Sequence, residues 1–255
     1  MNTGKKQQWA ADVSSGTGGN VLSYSSLAES GRLSSHSVRR LLRLYFIMGS
    51  PNCAAAPESV LEAALRGGAT LFQFREKGAG ALTGAAKLEL ARKLQAICRR
   101  HGVPFIVNDD LDLALQTGAD GMHIGQDDLP AAEVRRLLGP DKLVGVSAHN
   151  PDEACRAIRD GADYLGIGPV YPTSSKDDAR AVQGTSFISS LRAEGCDIPV
   201  VGIGGITLEK VAPVIRAGAD GVSVISAIAG APAPEQAAET LLSAVHRTLA
   251  ETYSG

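Results

Sequence analysis

The chain has 255 residues, 44% hydrophobic and 20% charged, an ordinary globular composition for one large domain or two small ones. Only 4% of the residues are aromatic while 29 are glycine, so small aliphatic side chains and many tight turns must build the core. A formal net charge of -2 speaks against a general nucleic-acid binder, and no apolar run is long enough to span a membrane.

The first 40 residues stand apart. They are rich in Gly, Ser and Asn, contain the single Trp9, and read as a flexible extension, with a short helix over Val38–Arg43 leading into the body. The expected plan is therefore an extension over 1–40 and one catalytic domain over 41–255. No apolar signal segment is seen among the first 20 residues, and Cys53, Cys98, Cys155 and Cys196 are scattered without a CxxC pair. Both features suit a cytoplasmic protein with reduced thiols.

From Leu44 onward short apolar runs alternate with helical patterns. Strands are expected at Leu44–Met48, Thr70–Arg75, Pro104–Asn108, Gly121–Ile124, Leu143–Ser147, Tyr164–Gly168, Pro199–Ile203 and Gly221–Ile225. Helices are expected at Pro57–Arg66, Leu82–Arg100, Leu111–Gln116, Leu129–Leu138, Asp152–Arg159, Ser186–Glu194, Leu208–Arg216 and Pro234–Glu251. The strand runs are nearly continuous in apolar residues, as in a parallel sheet buried on both faces. Gly68-Ala69-Thr70, Gly118-Ala119-Asp120, Gly161-Ala162-Asp163 and Gly218-Ala219-Asp220 repeat before the second, fourth, sixth and eighth strands. Each Gly suits the left-handed cap that ends a helix. Eight βα modules with a fourfold repeat predict a closed (β/α)8 TIM barrel, with a doubly wound open sheet as the alternative.

In such a barrel the chemistry lies at the C-terminal strand ends. After the second strand Gln73, Arg75 and Lys77 point one way while the chain stays extended, so they suit a phosphate or pyrophosphate, or else a salt-bridged strand end. Asp109 and Asp128, from neighbouring strand ends, suit a shared hard cation, whereas Asp110 and Asp127 read as caps or solvent-facing groups. His123 reads as a hydrogen-bonded inward group and only secondarily as a base or ligand; His149 reads as loop surface. Ser147 offers a hydroxyl to an anion but has no nearby sequence partner that would make it a nucleophile. Thr173, Ser175 and Lys176 form an anion clamp in a long polar loop. Gly205, Ile225 and Ser226, after the last two strands, match the phosphate site frequent in these barrels. The sum is a phosphate-monoester site and a metal-assisted pyrophosphate site in one mouth.

Six ordered segments then carry a resemblance: Gln73-Phe74-Arg75-Glu76-Lys77, Val107-Asn108-Asp109-Asp110, His123 to Asp128, Gly145 to His149, Gly166 to Thr173, and Val201 to Ile206. Together they resemble the thiamine-phosphate synthase family from about Leu44 to Ala229. The resemblance implies a transferase that joins 4-amino-2-methyl-5-pyrimidinylmethyl diphosphate to 4-methyl-5-(2-phosphoethyl)thiazole or its carboxylated form. It implies dissociative loss of pyrophosphate and no protein nucleophile. It further implies Mg2+ on Asp109 and Asp128. Gln73, Arg75, Asn108, Ser147 and Lys176 would contact the pyrimidine diphosphate. Thr173, Ser175, Gly205, Ile225 and Ser226 would contact the thiazole phosphate. Thr173-Ser174-Ser175-Lys176 departs from the family's usual Thr-x-Thr-Lys, and Asp177 stands where a second Lys is common. The rivals are a related thiazole tautomerase working through a histidine such as His123, and a non-catalytic phosphate-binding barrel. The expected partners are small-molecule substrates, with no nucleic acid and no membrane, and self-association is left open.

Overall fold

The computed structural model describes residues 32–173, 175 and 181–253. The extension expected before residue 32 lies outside them. Eight parallel strands close into a barrel in sequence order: β1 Leu44–Met48, β2 Leu71–Phe74, β3 Phe105–Asn108, β4 Gly121–Ile124, β5 Leu143–Ala148, β6 Tyr164–Ile167, β7 Val200–Ile203 and β8 Gly221–Val224. Closure comes from β8 on β1, with Leu44 opposite Val222 and Phe46 opposite Val224. The helices are α1 Ser35–Leu41, α2 Pro57–Arg66, α3 Gly84–His101, α4 Leu111–Thr117, α5 Ala131–Leu138, α6 Pro151–Arg159, α7 Ser186–Ala193, α8 Leu208–Arg216, α9 Ser226–Ala229 and α10 Pro234–Tyr253. The expected alternation is present, and the open-sheet alternative is excluded.

The boundary differences have local causes. Pro104 and Pro199 precede their strands, because proline lacks the N–H a ladder needs, yet their carbonyls still accept from Phe72 N and Leu165 N. The α6 helix starts one residue earlier than expected, at Pro151, where proline fits the first turn and Asn150 accepts from Glu153 N at 2.9 Å. The four-residue α9, directly after β8, was not foreseen.

The Gly-Ala-Asp repeat does more than end helices. Its third residue holds an amide at the start of the preceding odd strand. Leu44 N donates to Thr70 Oγ1 at 2.9 Å, Phe105 N to an Asp120 carboxylate oxygen at 2.9 Å, Val144 N to Asp163 at 2.8 Å and Val200 N to Asp220 at 2.8 Å. Strands are thereby tied in pairs, which is why the sequence period is two modules. Arginines neutralise two of these buried carboxylates: Arg32 and Arg135 on Asp163, Arg39 and Arg192 on Asp220.

Arg32 precedes α1 and Arg39 lies on its last turn; this helix closes the bottom of the barrel. Val38 and Leu42 are buried against an inner cluster with Tyr45, Tyr164, Leu71 and Ile106. Full burial of a side chain such as Leu42 stabilises by about 1.5–3 kcal/mol. Residues 35–41, read from sequence as mostly extension, thus belong to the folded body. A second, larger cluster fills the layer between strands and outer helices, with the Phe105 ring in contact with both Phe72 and Phe74.

Candidate active site

The C-terminal strand ends surround a cavity of about 590 Å³. Arg75, Asn108, Asp109, Asp128, Ser147, Thr173, Ser175, Gly205, Ile225 and Ser226, all expected from sequence, line it. Gln73 does not line it: it is 1% exposed and lies deeper, with Nε2 donating to Tyr45 Oη at 2.7 Å. Lys176 lies outside the described residues.

The β2–β4 side is charged. Asp109 sits at φ 59, the left-handed region that non-glycine residues enter at a cost of about 1–2 kcal/mol. In that conformation Asp109 N donates to His123 O at 2.9 Å. The Lys77 ammonium pairs with the Asp109 carboxylate. Burial, and a hydrogen bond with Asp128, nevertheless hold the Asp109 carboxyl above the usual range, with Lys77 opposing them. Two carboxylates pressed together in this way fit a shared divalent cation, which would remove the cost of their proximity. Among the described residues no cluster of three or more His, Cys, Asp or Glu side chains forms a cage of protein ligands alone. A cation on this pair would therefore complete its shell with water or phosphate oxygens, as Mg2+ commonly does. Asp110 caps α4, accepting from Leu113 N at 2.9 Å and from Lys87 at 2.7 Å. Asp127 is exposed at the rim.

Between Arg75 and Lys77, Glu76 turns the other way. Its carboxylate accepts from Ser50 N, Ser50 Oγ and Leu82 N at 2.8, 2.5 and 2.7 Å. It thereby ties the loops after β1 and β2 and holds the backbone that carries both cations. Nothing in the sequence pattern marked Glu76 for this task.

The β6–β8 side is mostly neutral and rich in donors. Gly204 and Gly205, at φ 99 and 61, form a turn that only glycine adopts without strain; a Cβ on Gly205 would also meet Pro172 O at 2.3 Å. Ser175 Oγ donates to Ser226 Oγ at 3.1 Å, bringing the long loop onto the first turn of α9. Lys210, from the first turn of α8, also lines this side. Its ammonium donates to Gly205 O at 3.1 Å and lies 4.7 Å from the centre of the Tyr171 ring. Sequence reading missed it, because a lysine at a helix start looks like any solvated one.

One histidine differs from expectation, while His123 is the hydrogen-bonded inward group it was read as. His149 is no loop-surface residue: its backbone N–H and Nδ1 both engage Glu153, at 2.7 and 2.9 Å, and it lines the cavity. Ser147, for which no partner lies nearby in sequence, meets His123 Nε2 at 3.0 Å. The pair is invisible in sequence because it arises from β4–β5 register, where His123 lies opposite Gly145. His123 Nδ1 meets Tyr164 Oη at 3.2 Å rather than a carboxylate, so this is not a hydrolase triad. Gln126, also missed, donates to Ser147 O at 2.7 Å and steadies the same strand end.

The comparisons agree with this architecture. The model of the thiamine monophosphate synthase family matches residues 44–228. The thiamine-phosphate synthase of Bacillus licheniformis is 56% identical over 223 residues, covering 88% of this chain and 99% of that protein. That of Geobacillus kaustophilus is 58% identical over 214 residues, covering 84% and 96%. Among solved structures, a thiamine phosphate pyrophosphorylase from Pyrococcus furiosus matches with a TM-score of 0.74 at 35% identity, covering 83% of this chain and 99% of that one.

Proposed function

The chain belongs to the thiamine monophosphate synthase family, with that family's transferase activity in thiamine biosynthesis, and we propose that its mouth assigns one substrate to each side. The pyrimidine diphosphate takes the β2–β5 side, against Arg75, Asn108 and Ser147, with Gln73 below; Lys176, outside the described residues, is kept as an expected diphosphate contact. The thiazole phosphate takes the β6–β8 side, against Thr173, Ser175, Gly205, Ile225 and Ser226, with Lys210 as its cation. The observation that carries this reading is that both anion-holding sides open into one cavity of about 590 Å³.

Holding both substrates in one mouth converts their encounter into an intramolecular event. Arg75 and the Ser147 hydroxyl face the charge that grows on the departing pyrophosphate, where positioned donors act most strongly. The thiazole nitrogen then attacks the pyrimidine-methyl cation from the opposite side. No protein nucleophile is required. Asp109 and Asp128 would hold Mg2+, which when bound neutralises charge on the diphosphate. The tautomerase alternative loses support because both nitrogens of His123 are engaged inside the barrel.

The test is pyrophosphate release by the purified protein with both substrates, with either alone, and with or without Mg2+. Release should need all three components. Release without the thiazole phosphate would contradict the two-sided mouth, and release in excess chelator would contradict the metal pair.

A further inference from the structure

A line of buried polar groups runs from the centre of the barrel to its mouth. Gln73 Nε2 donates to Tyr45 Oη at 2.7 Å. Tyr45 Oη and Tyr164 Oη are 2.8 Å apart, Tyr164 Oη and His123 Nδ1 are 3.2 Å apart, and His123 Nε2 and Ser147 Oγ are 3.0 Å apart. Tyr45 and Tyr164 are at most 1% exposed and His123 is 8% exposed. Two strand glycines make room for the line: a Cβ on Gly145 would fall 2.1 Å from Tyr164 Cζ, and one on Gly166 would fall 3.0 Å from His123 Cε1.

Counting hydrogens gives the line a direction. Gln73 Nε2 can only donate. Tyr45 accepts from it and gives its own hydrogen to Tyr164. Tyr164 must then donate to His123 Nδ1, which therefore carries the lone pair. The proton of the neutral imidazole sits on Nε2 and is donated to Ser147 Oγ. The Ser147 hydrogen is left for the cavity. Run the other way, with Nδ1 protonated, the line leaves the Tyr45 hydrogen with no acceptor in a dry core. Turning the Gln73 amide over would supply one, but would put two N–H donors where Oε1 now goes unpartnered.

We propose that the Gln73–Tyr45–Tyr164–His123 line is a positioning device that fixes Ser147 as a hydrogen-bond donor to the departing pyrophosphate. It deepens the two-sided reading of the mouth and rests on Ser147 facing the diphosphate. It also explains why a Ser–His pair here is no nucleophile: an Nε2 that donates to Ser147 cannot take the serine proton.

The direct test is the His123 tautomer in the wild-type protein, read from 15N NMR and assigned by comparison with His123→Asn. Protonated Nε2 with unprotonated Nδ1 is expected; protonated Nδ1 overturns the proposal whatever the kinetics show. The second test is a double-mutant cycle on pyrophosphate release. Ser147→Ala and Tyr164→Phe should each slow turnover about tenfold, the scale of one hydrogen bond, and the double variant should be no slower than Ser147→Ala. Multiplicative losses would overturn the coupling. If Tyr164→Phe does not fold, the wild-type tautomer decides alone. If Ser147→Ala turns over normally, the diphosphate assignment of Ser147 fails and the donor role with it, even where the tautomer is as expected.

Discussion

Tyr45 and Tyr164 meet hydroxyl to hydroxyl, 2.8 Å apart, with their rings edge to face at 76° in the middle of the barrel. Burial pushes both phenols up, and at Tyr164 the neighbouring Tyr45 and Asp163 act in the same direction, so both remain neutral hydroxyls. Two bulky polar side chains fit only because the neighbouring strand gives way at Gly145, where a Cβ would lie 2.1 Å from Tyr164 Cζ. The ring cannot retreat without breaking its bonds to Tyr45 and His123. Gly145→Ala should therefore cost about 3 kcal/mol or more, the upper range for overpacking. Urea unfolding measures this; a loss below about 1 kcal/mol would mean that the barrel centre is looser than described.

Asp109 separates function from stability. Its carboxyl is held up by burial and by Asp128, so the ionised pair is a cost in the metal-free protein. Asparagine keeps the side-chain shape and tolerates φ 59 better than most residues. Asp109→Asn should lower Mg2+-dependent turnover by about 100-fold or more, the upper end for disturbing a metal site. Its melting temperature in chelator should equal or exceed that of the wild type. An active variant would remove Asp109 from the metal pair, and an active-site loss accompanied by a large drop in melting temperature would make the residue structural instead.

Asp220 should behave in the opposite way. It is 4% exposed, at the barrel bottom, and accepts from Arg39, Arg192 and Val200 N at 2.8 to 2.9 Å. Removing one partner of a buried ion pair costs about 3–5 kcal/mol because the others are left uncompensated. Asp220→Ala should lose stability on that scale while the remaining folded enzyme keeps its turnover number. A fall in turnover number without a fall in stability would place Asp220 in communication with the mouth.

The contrast between these two aspartates shows what the sequence makes legible. The strands were readable because each is a short, largely apolar run buried along most or all of its length, and the repeat announced the barrel. The cations and carboxylates of the mouth were readable because they follow strand ends, where the fold puts its chemistry. Contacts between strands were not. Ser147 and His123 are 24 residues apart and meet only through the β4–β5 register. The bottom plug was underestimated because Val38, Leu41 and Leu42 are interspersed with arginines whose partners, Asp220 among them, lie far along the chain. Glu76 and Lys210 were hidden for the same reason, each looking solvated until its neighbours are in place.

Lys210 gives a test of the neutral side of the mouth. Its ammonium, confined by Gly205 O and the Tyr171 ring, is the cation described there next to the proposed phosphate contacts. A charged hydrogen bond to phosphate is worth about 1.5–3 kcal/mol, roughly ten- to a hundredfold in affinity. Lys210→Met should raise KM for the thiazole phosphate by about that factor, leave KM for the pyrimidine diphosphate unchanged, and change kcat little. A raised pyrimidine KM would show that the two sides are not separated as proposed.

Cys53 reports on the loop that Glu76 ties down. Its thiol pKa is pushed up to about 11, first by burial and then by the Glu76 charge. Both causes penalise the thiolate, so the reactive form is scarcer than in a peptide and grows only as pH approaches that value. With an ordinary thiol near 8.5, the thiolate fraction at pH 8 falls by roughly two orders of magnitude, and iodoacetamide alkylation should slow in proportion. Mass spectrometry of the Cys53 peptide over time, from pH 7 to 10, measures both the rate and its rise. Peptide-like alkylation at pH 8 would mean that the segment after β1 opens away from Glu76, and then the backbone of Arg75 and Lys77 would not be held as the mouth requires.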